Sequence, residues 1–562
     1  MKRTKILLLF FIVITLFNKS FSQWNSNSTI NTPLSTAPNI QKDISISSDN
    51  KNGAILIWED LRNGTTEDIY AQRINSAGFV KWAVNGIAVC TAVNKQNSVS
   101  SIEDGNGGVI VTWDDFRSGN SDIYAQKIDS NGVIQWALNG IAVCSKTLSQ
   151  TSSKLISDGM GGAIIVWEDS INGAIDIYAQ RISSSGNILW ANSGVPICSA
   201  PLKQFRPRLQ TDNAGGAFIV WQDKRNGIDY DIYAQRISAN GAVMWATNGI
   251  LICNAVNTQS HPKLRSDGAN GVIIAWQDKR NALDFDLYAQ RVGAGGNIKW
   301  QANGVVVCAE ADNQEELDMT NENILNGVIL CWTDHRSLIS NNSDIYIQKI
   351  DSLGNQIWAS NGIALSGSFL DQKNSNLVGD GNGGAIVVWQ DSVAGNQWDI
   401  KSQRVNVNGQ QQWGLNGLSI CSQTSSQTQP VNISSGVGAS IFAWEDKRNG
   451  IDDIYVQRFP TIITGIETQF ADQQIKDKSG FAIYPNPFNT TAHLYFNGSE
   501  SFNYKKAEIK FTSATGQEVD FLTNINEDGI TLHKNNLPAG IYFYLVIFEG
   551  LNYSGKIVIG QN

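Results

Sequence analysis

The run Gly161-Gly162-Ala163-Ile164-Ile165-Val166-Trp167 is apolar throughout, and after a polar interval it is followed by Asp176-Ile177-Tyr178-Ala179-Gln180-Arg181-Ile182. A continuous β-branched apolar run of this length reads as a strand covered on both faces. The second run reads as a strand by composition and length. Working outward, turns such as Asp129-Ser130-Asn131-Gly132 lead to a segment holding a further Trp, read as a third strand. Segments such as Pro262-Lys263-Leu264-Arg265, ahead of Ser266-Asp267-Gly268, supply a fourth. No helical periodicity interrupts the unit.

The unit repeats. Equivalents of Trp167 are Trp58, Trp113, Trp221, Trp276, Trp332, Trp389 and Trp444, at steps of 55, 54, 54, 55, 56, 57 and 55 residues. A second Trp recurs at 82, 136, 190, 245, 300, 358 and 413, followed after two residues by Asn-Gly in all but the copy at Trp190. Trp24 is the eighth of that series, so only Trp398 of the 17 Trp stands outside the repeat. Four strands repeated eight times predict an all-β, eight-bladed β-propeller over residues 23–460. The chain starts inside one unit and leaves inside another, so the segment around Trp24 is expected to supply the outermost strand of the eighth blade. Such pairing removes exposed edges. A repeat Trp burying roughly 200 Å² at about 25 cal/mol/Å² contributes at most about 5 kcal/mol. These indoles are therefore read as wedges between blades.

Composition limits the function. The 562 residues carry 42 Lys+Arg against 51 Asp+Glu, a formal charge of −9, without long basic runs. That excludes the clustered cations a nucleic-acid binder needs. Four His make a multi-His metal centre a poor expectation. Residues 1–22 read as a signal peptide: Lys2, Arg3 and Lys5 precede the apolar run Ile6 to Phe17, and cleavage is expected between Ser22 and Gln23. No transmembrane anchor is expected after its removal, because no later run reaches the ~18 apolar residues of a span.

After Phe459 there is no further Trp or Cys. Residues 461–480 read as a linker, and short strands return over 481–562, near Ala492–Phe496, Ala507–Thr512, Ile541–Phe548 and Lys556–Ile559. They predict a small Ig-like β-sandwich. Four motifs stand in order: Tyr484-Pro485-Asn486-Pro487-Phe488, Gly516-Gln517-Glu518-Val519, Leu537-Pro538-Ala539-Gly540-Ile541-Tyr542 and Gly555-Lys556-Ile557-Val558. This part resembles the C-terminal sorting domain of the type IX secretion system, type A form. The resemblance implies passage through the periplasm and across the outer membrane, with the secretion machinery as partner, and then release or surface attachment. The central repeat resembles propeller arrays of secreted bacterial proteins. It lacks the Ser-x-Asp-x-Gly-x-x-Trp box of sialidase-like propellers and the spacing of WD40 repeats.

Candidate chemistry is sparse. Asp60 and its equivalents follow the first Trp by two, Asp68 and its equivalents open the Tyr strand, and Arg62, Arg117, Arg225, Arg280, Arg336 and Arg448 lie two beyond the first Asp. Paired carboxylates serve glycosidases, but groups repeated around a ring are read as structural, each Arg pairing with the facing Asp. Asp104-Gly105-Asn106-Gly107 and Asp380-Gly381-Asn382-Gly383 resemble half a calcium loop and equally fit hairpin turns. Cys90, Cys144, Cys198, Cys253, Cys308 and Cys421 share one repeat position, too far apart for disulfides, and are read as small buried apolar residues. Cys331 stands apart and is a candidate for a local pair. No cofactor, metal set or catalytic triad is expected.

Function is sought where repetition breaks. Trp398, Lys401 in place of the strand Tyr, and the acidic link Glu310, Asp312, Glu315, Glu316 and Asp318 mark blades 6 and 7. The longer turn Ser340-Asn341-Asn342 also lies there. Trp398, Lys401, Glu315 and Glu316 form the candidate ligand surface. The expected function is non-enzymatic binding of an extracellular glycan or protein. A carbohydrate-active hydrolase or lyase is the rival, and a purely structural surface component the third reading.

Overall fold

The computed structural model describes residues 24–460 apart from 26, 172, 323, 325, 337–341, 369 and 394–396. It also describes 481–559 apart from 485–487, 489, 497–505, 514–516, 526–528 and 549–550. The predicted cleavage site at Ser22 and Gln23, the linker 461–480, and part of the turn at Ser340-Asn341 lie outside the described residues. The chain divides into two compact units, Met1–Ile462 and Ile463–Asn562.

In the first unit, eight four-stranded antiparallel sheets recur, the first being Gln41–Ser48, Ala54–Asp60, Asp68–Ile74 and Ile87–Cys90. The first strand of each sheet packs beside that of the next, and Gln427–Ser434 of the last returns against Gln41–Ser48. The sheets close around an axis. The unit is an eight-bladed β-propeller, with Gln41–Ser48 and its equivalents innermost.

The second strands, such as Ala54–Asp60 and Ala217–Asp223, are buried at every residue because neighbouring sheets cover both faces. The first Trp of each blade is fully buried there. In every blade but the seventh its Nε1 donates to the Asp two residues on, as from Trp58 to Asp60 Oδ2 at 2.7 Å and from Trp221 to Asp223 Oδ2 at 2.7 Å.

The second Trp does not lie on a strand, which corrects the expected third strand. Asn85 (φ 61°) and Gly86 (φ 86°) are both left-handed and turn the chain just after Trp82. A Cβ on Gly86 would stand 2.5 Å from the Trp58 ring, so only glycine fits. The outermost strand is the next four residues, Ile87–Cys90, paired with Asp68–Ile74. The indole instead rivets blade to blade: Trp82 Nε1 donates to Ser130 O at 3.3 Å and Trp190 Nε1 to Ala239 O at 3.0 Å.

The same distinction applies at the closure. The strand contributed by the N-terminal part is Thr32–Ser35, with Thr32 opposite Val456 and Pro33 opposite Tyr455, rather than the segment around Trp24. Trp24 acts as the rivet of that blade, buried and donating from Nε1 to Ser76 O of the first blade at 2.8 Å. Gln457 Nε2 also donates to Asn25 O at 2.7 Å. The eighth blade is built from both parts of the chain.

The Asp-x-Arg turns correct a second expectation. Arg62 grips its own Asp60 in a bidentate pair (Nε to Oδ1 2.9 Å, Nη2 to Oδ2 2.6 Å), not the facing Asp68. Its guanidinium lies 3.6 Å from the centre of the Tyr70 ring. Asp68 is held by Asn63 at 3.0 Å. Blades 3 and 7 lack the Arg and bring a lysine: Lys146 to Asp169 and Lys401 to Asp391, both at 2.7 Å.

The cysteines are not merely apolar filling. Arg117 Nη2 donates to Cys90 Sγ at 3.2 Å and Arg225 Nη2 to Cys198 Sγ at 3.2 Å, and Cys253, Cys308 and Cys421 likewise sit against the next blade's Arg–Asp pair, while Cys144 donates to Ser193 O at 3.7 Å. All seven are free thiols, and burial pushes Cys90, Cys144, Cys198, Cys253, Cys308 and Cys421 up to about 12. Cys331 meets Ser375 Oγ at 3.3 Å rather than another sulfur.

In the second unit, Phe481–Tyr484, Thr491–Phe496, Ile530–His533 and Leu522–Ile525 form one sheet, and Glu508–Ser513, Gly540–Phe548 and Leu551–Ile559 the other. Phe488, Leu494, Phe511, Phe521, Leu532 and Tyr544 fill the space between as the core of a small Ig-like sandwich.

Candidate functional site

Every innermost strand begins with a fully buried Gln, from Gln41 and Gln96 round to Gln427. In every blade but the seventh its amide ties the strand to the preceding link, as Gln41 Nε2 donates to Asn39 O at 2.8 Å. Two residues later each strand bulges, and the residue there takes a left-handed conformation. The ring reads Asp43 (54°), Ser98 (59°), Ser152 (62°), Arg206 (55°), His261 (53°), Glu316 (53°), Asn374 (53°) and Gln429 (51°). Such backbone persists only where surroundings over-determine it.

The residue directly after the first Trp of the preceding blade does much of that work. Ser98 N donates to Glu59 Oε1 at 2.6 Å, Ser152 N to Asp114 Oδ2 at 3.0 Å, and Arg206 N to Glu168 Oε1 at 2.8 Å. Gln429 N donates to Gln390 Oε1 at 3.0 Å, and Asp43 N to Glu445 Oε1 at 2.7 Å across the closure. Blade 6 has Thr333 there, too short to reach. Glu316 substitutes, accepting from Asn374 N at 2.8 Å and from Thr333 Oγ1 at 2.9 Å. The sequence reading passed over this position, although an acid or amide stands there in every blade but the sixth.

The bulges surround an axial cavity of about 880 Å³, contiguous with a second of about 330 Å³ through Arg206, Arg208, Gln429 and Pro430. It lies where the innermost strands begin. Gln41 is in register with Asp60, so this is the end that carries the blade-to-blade links and the Asp-x-Arg turns.

The two walls differ in charge. On blades 8 and 1, burial, aided by nearby Asp43, raises Glu59 and Glu445 to about 7. On blades 3 to 5, burial together with Arg206, Arg208 and Lys263 lowers His261 to about 4. Burial and the neighbouring Arg208 lower Lys154 to about 8.

Raised carboxylates make stability fall as pH rises from their unfolded values to their folded ones, since the folded state holds the extra protons. Glu59 and Glu445 act between 4.5 and about 7, and Asp114, Asp231 and Asp286 between 3.8 and about 6. His261 opposes them, adding stability as pH rises from about 4 to 6.5. A higher Tm at pH 5 than at pH 8 is therefore expected, and Glu59→Gln should flatten the difference. A Tm that climbs steadily from pH 5 to 8 would contradict this.

Of the candidate surface residues, three come to one edge. Lys373 Nζ lies 4.4 Å from the centre of the Trp398 ring, and adjacent Asn374 binds Glu316. Glu315 is in register with Thr333 beside them. Lys401 is drawn away to Asp391. In the same blade Trp389 Nε1 and Asp391 Oδ1 are both without a hydrogen-bond partner, unlike the other first-Trp indoles. The calcium-like turns hold cations of the chain itself: Asp104 meets Lys127 at 3.4 Å and Asp380 meets Arg404 at 2.9 Å. Among the described residues no cluster of three or more His, Cys, Asp or Glu could hold a metal ion.

In the second unit, Tyr542 is buried, its hydroxyl donating to Pro538 O at 2.8 Å and its ring edge-on to Phe521 at 5.6 Å. Gly540 opens the Gly540–Phe548 strand, and Lys556 lies on Leu551–Ile559. Pro485, Asn486, Pro487 and Gly516 lie outside the described residues. Residues 482–560 match the family of the secretion system C-terminal sorting domain. The second unit carries a type IX sorting domain. The sorting domain directs export across the outer membrane, to the cell surface or beyond, through recognition by the type IX machinery. Among the described residues no helix is long and apolar enough to cross a membrane.

No curated protein matches the chain. Solved structures similar to it include an α-L-arabinanase of Penicillium chrysogenum complexed with arabinobiose (12% identity, 54% of this chain and 92% of that one, TM-score 0.33). A GH93 α-L-arabinofuranosidase of Fusarium graminearum is comparable (11%, 54% and 91%, TM-score 0.32). A Dyadobacter fermentans protein of unknown function covers 76% of this chain and 98% of its own at 8% identity and TM-score 0.34.

Proposed function

We propose that this exported propeller binds an extracellular glycan or protein at the mouth of its axial cavity without transforming it. One observation carries the reading: the acids around the cavity already accept hydrogen bonds from bulge amides, as Glu59, Glu168 and Glu445 do. Acids engaged in this way hold the ring rather than stand as a free acid–base pair. Uncommitted polar groups such as Asn97 and Ser152 line the space between them. The edge of Trp398, Glu315 and Glu316 extends the surface over blades 6 and 7. The route begins with a signal peptide over 1–22, cut between Ser22 and Gln23, and runs through the periplasm.

A hydrolase or lyase is the second reading, favoured by the raised Glu59 in the cavity, since acids held near neutrality serve as proton donors. A glycan array combined with a polysaccharide hydrolysis screen separates the two. Binding without turnover is expected, weakened about tenfold by Trp398→Ala with Glu315→Gln, a loss in the range of lost polar contacts. Turnover abolished by Glu59→Gln would overturn the binding reading. Unchanged binding by the double variant would remove the edge from the site.

A further inference from the structure

Cations between the blades are matched. Arg73 meets Asp49 at 2.9 Å, Arg181 meets Asp158 at 2.9 Å, and Lys349 meets Glu322 at 3.0 Å. At the cavity, Lys263 of blade 5 is likewise held by Asp318 at 3.3 Å. Three neighbouring cations are not. Lys154, Arg206 and Arg208, on the innermost strands of blades 3 and 4, line the axial cavity and form no ion pair among the described residues. Arg208 Nη1 reaches only Pro207 O of the adjacent residue, at 2.9 Å.

The acids nearest these cations attract them without reaching ion-pair distance, their oxygens being held by other groups. Glu168 Oε1 accepts from Arg206 N, Asp114 Oδ2 from Ser152 N, and Asp318 holds Lys263 and Asn376. Cations gathered in a partly desolvated space repel one another and cost stability unless an anion joins them. The opposite wall offers an anion no free cation, because its Lys42 is already paired with Asp43, Glu59 and Glu67 at 3.8, 3.7 and 3.4 Å. A ligand seated here is therefore polarised, its charged group on blades 3 and 4 and a neutral part across from it. Around the cations stand Ser98, Ser152 and Gln429, suited to hydroxyl groups. Phe205, edge-on to Tyr230 at 6.2 Å, adds an apolar ring to the wall. Hydroxyl partners beside an aromatic ring fit a sugar better than a peptide backbone.

We propose that the axial cavity takes an anionic saccharide, its carboxylate or sulfate group seated between Lys154, Arg206 and Arg208. The proposal rests on the binding reading above and names the ligand class.

The test is calorimetric titration of the purified full-length protein with four probes: a galacturonate oligomer, a sulfated galactose oligomer, a neutral galactose oligomer and a hexaglutamate peptide. One of the two charged saccharides is expected to bind, and which of them does separates carboxylate from sulfate. Arg208→Gln and Lys154→Gln should each weaken that binding about 10- to 100-fold, the range for hydrogen bonds to charged groups. Added salt should weaken it further. Neither variant should lower the Tm of the free protein, because each relieves repulsion. Inorganic sulfate should raise the wild-type Tm more than that of either variant.

A neutral oligomer bound as tightly as the charged ones, with the Gln variants unaffected, would overturn the anion site and leave the binding reading standing. Tighter binding of the peptide would overturn the saccharide assignment. Failure of all four probes, with no response to sulfate, would remove the proposal. Failure across the full glycan array as well would remove the binding reading with it.

Discussion

Deleting Phe481–Asn562 should abolish delivery across the outer membrane and leave a folded propeller inside the cell. The deletion removes the residues that match the sorting-domain family, 482–560, and with them what the type IX machinery recognises. It takes nothing from the propeller interior. The sandwich buries its own cluster of Phe488, Phe511, Phe521, Tyr542 and Ile557, while the blade clusters draw on residues between Trp24 and Phe459. Cell fractionation should therefore find the truncated protein wholly retained, with a melting curve matching that of the propeller in the full chain. Tyr542→Ala should give a graded version of the same defect. Truncating a buried aromatic costs about 3–5 kcal/mol, and a sandwich of about 80 residues has little stability to lose. Normal surface delivery of the truncated chain would refute the role of this domain.

The second large effect is expected at the closure. Removing residues 24–35 strips the outermost strand from the eighth blade. The Asp453–Phe459 strand, paired on that side only by Thr32–Ser35, becomes an open edge. Also lost are Trp24 between the eighth and first blades, and Asn31 Oδ1, which accepts from Arg448 Nη2 at 2.8 Å. An unprotected edge beside a parted interface should both lower the Tm, by ten degrees or more, and drive association between molecules. Trp24→Ala isolates the wedge from the edge. Its cost should be about 3–5 kcal/mol, similar to that of Trp190→Ala in the middle of the ring, but without aggregation. Proteolysis should start near Tyr455 in the deletion and nowhere specific in Trp190→Ala. A deletion variant that melts within a degree or two of the parent would show that the ring does not depend on its closing strand.

Much of the fold was legible because it rests on repeated local chemistry. An indole every 54 to 57 residues and a β-branched run before each give the blade, its number and the all-β class. The parsing of the blade was less legible. Trp82 looked like a strand residue, and only the left-handed pair Asn85 and Gly86, with the Trp58 ring packed against the glycine, places it in a turn. The Arg–Asp pairing was read across the hairpin although it closes within a single turn. A two-residue spacing permits both arrangements, and packing against Tyr70 selects one.

The site was less legible still. Lys401 stood out as a break in pattern, yet it serves as the missing Arg of its blade. The residues lining the axis share no conspicuous motif, because what unites them is a bulge position rather than a residue type. Periodicity set the number of blades, because the same side chains recur along the chain, while the sandwich came from its short-strand pattern and the sorting motifs from a family resemblance. That Glu59, Glu168 and Glu445 hold bulge amides while Lys154, Arg206 and Arg208 face one cavity unmatched was decided only by the packing of blade on blade. That packing joins residues 38 and 39 positions apart, closure joins Asp43 to Glu445 at 402, and the balance of charge around the axis exists only once the ring is complete.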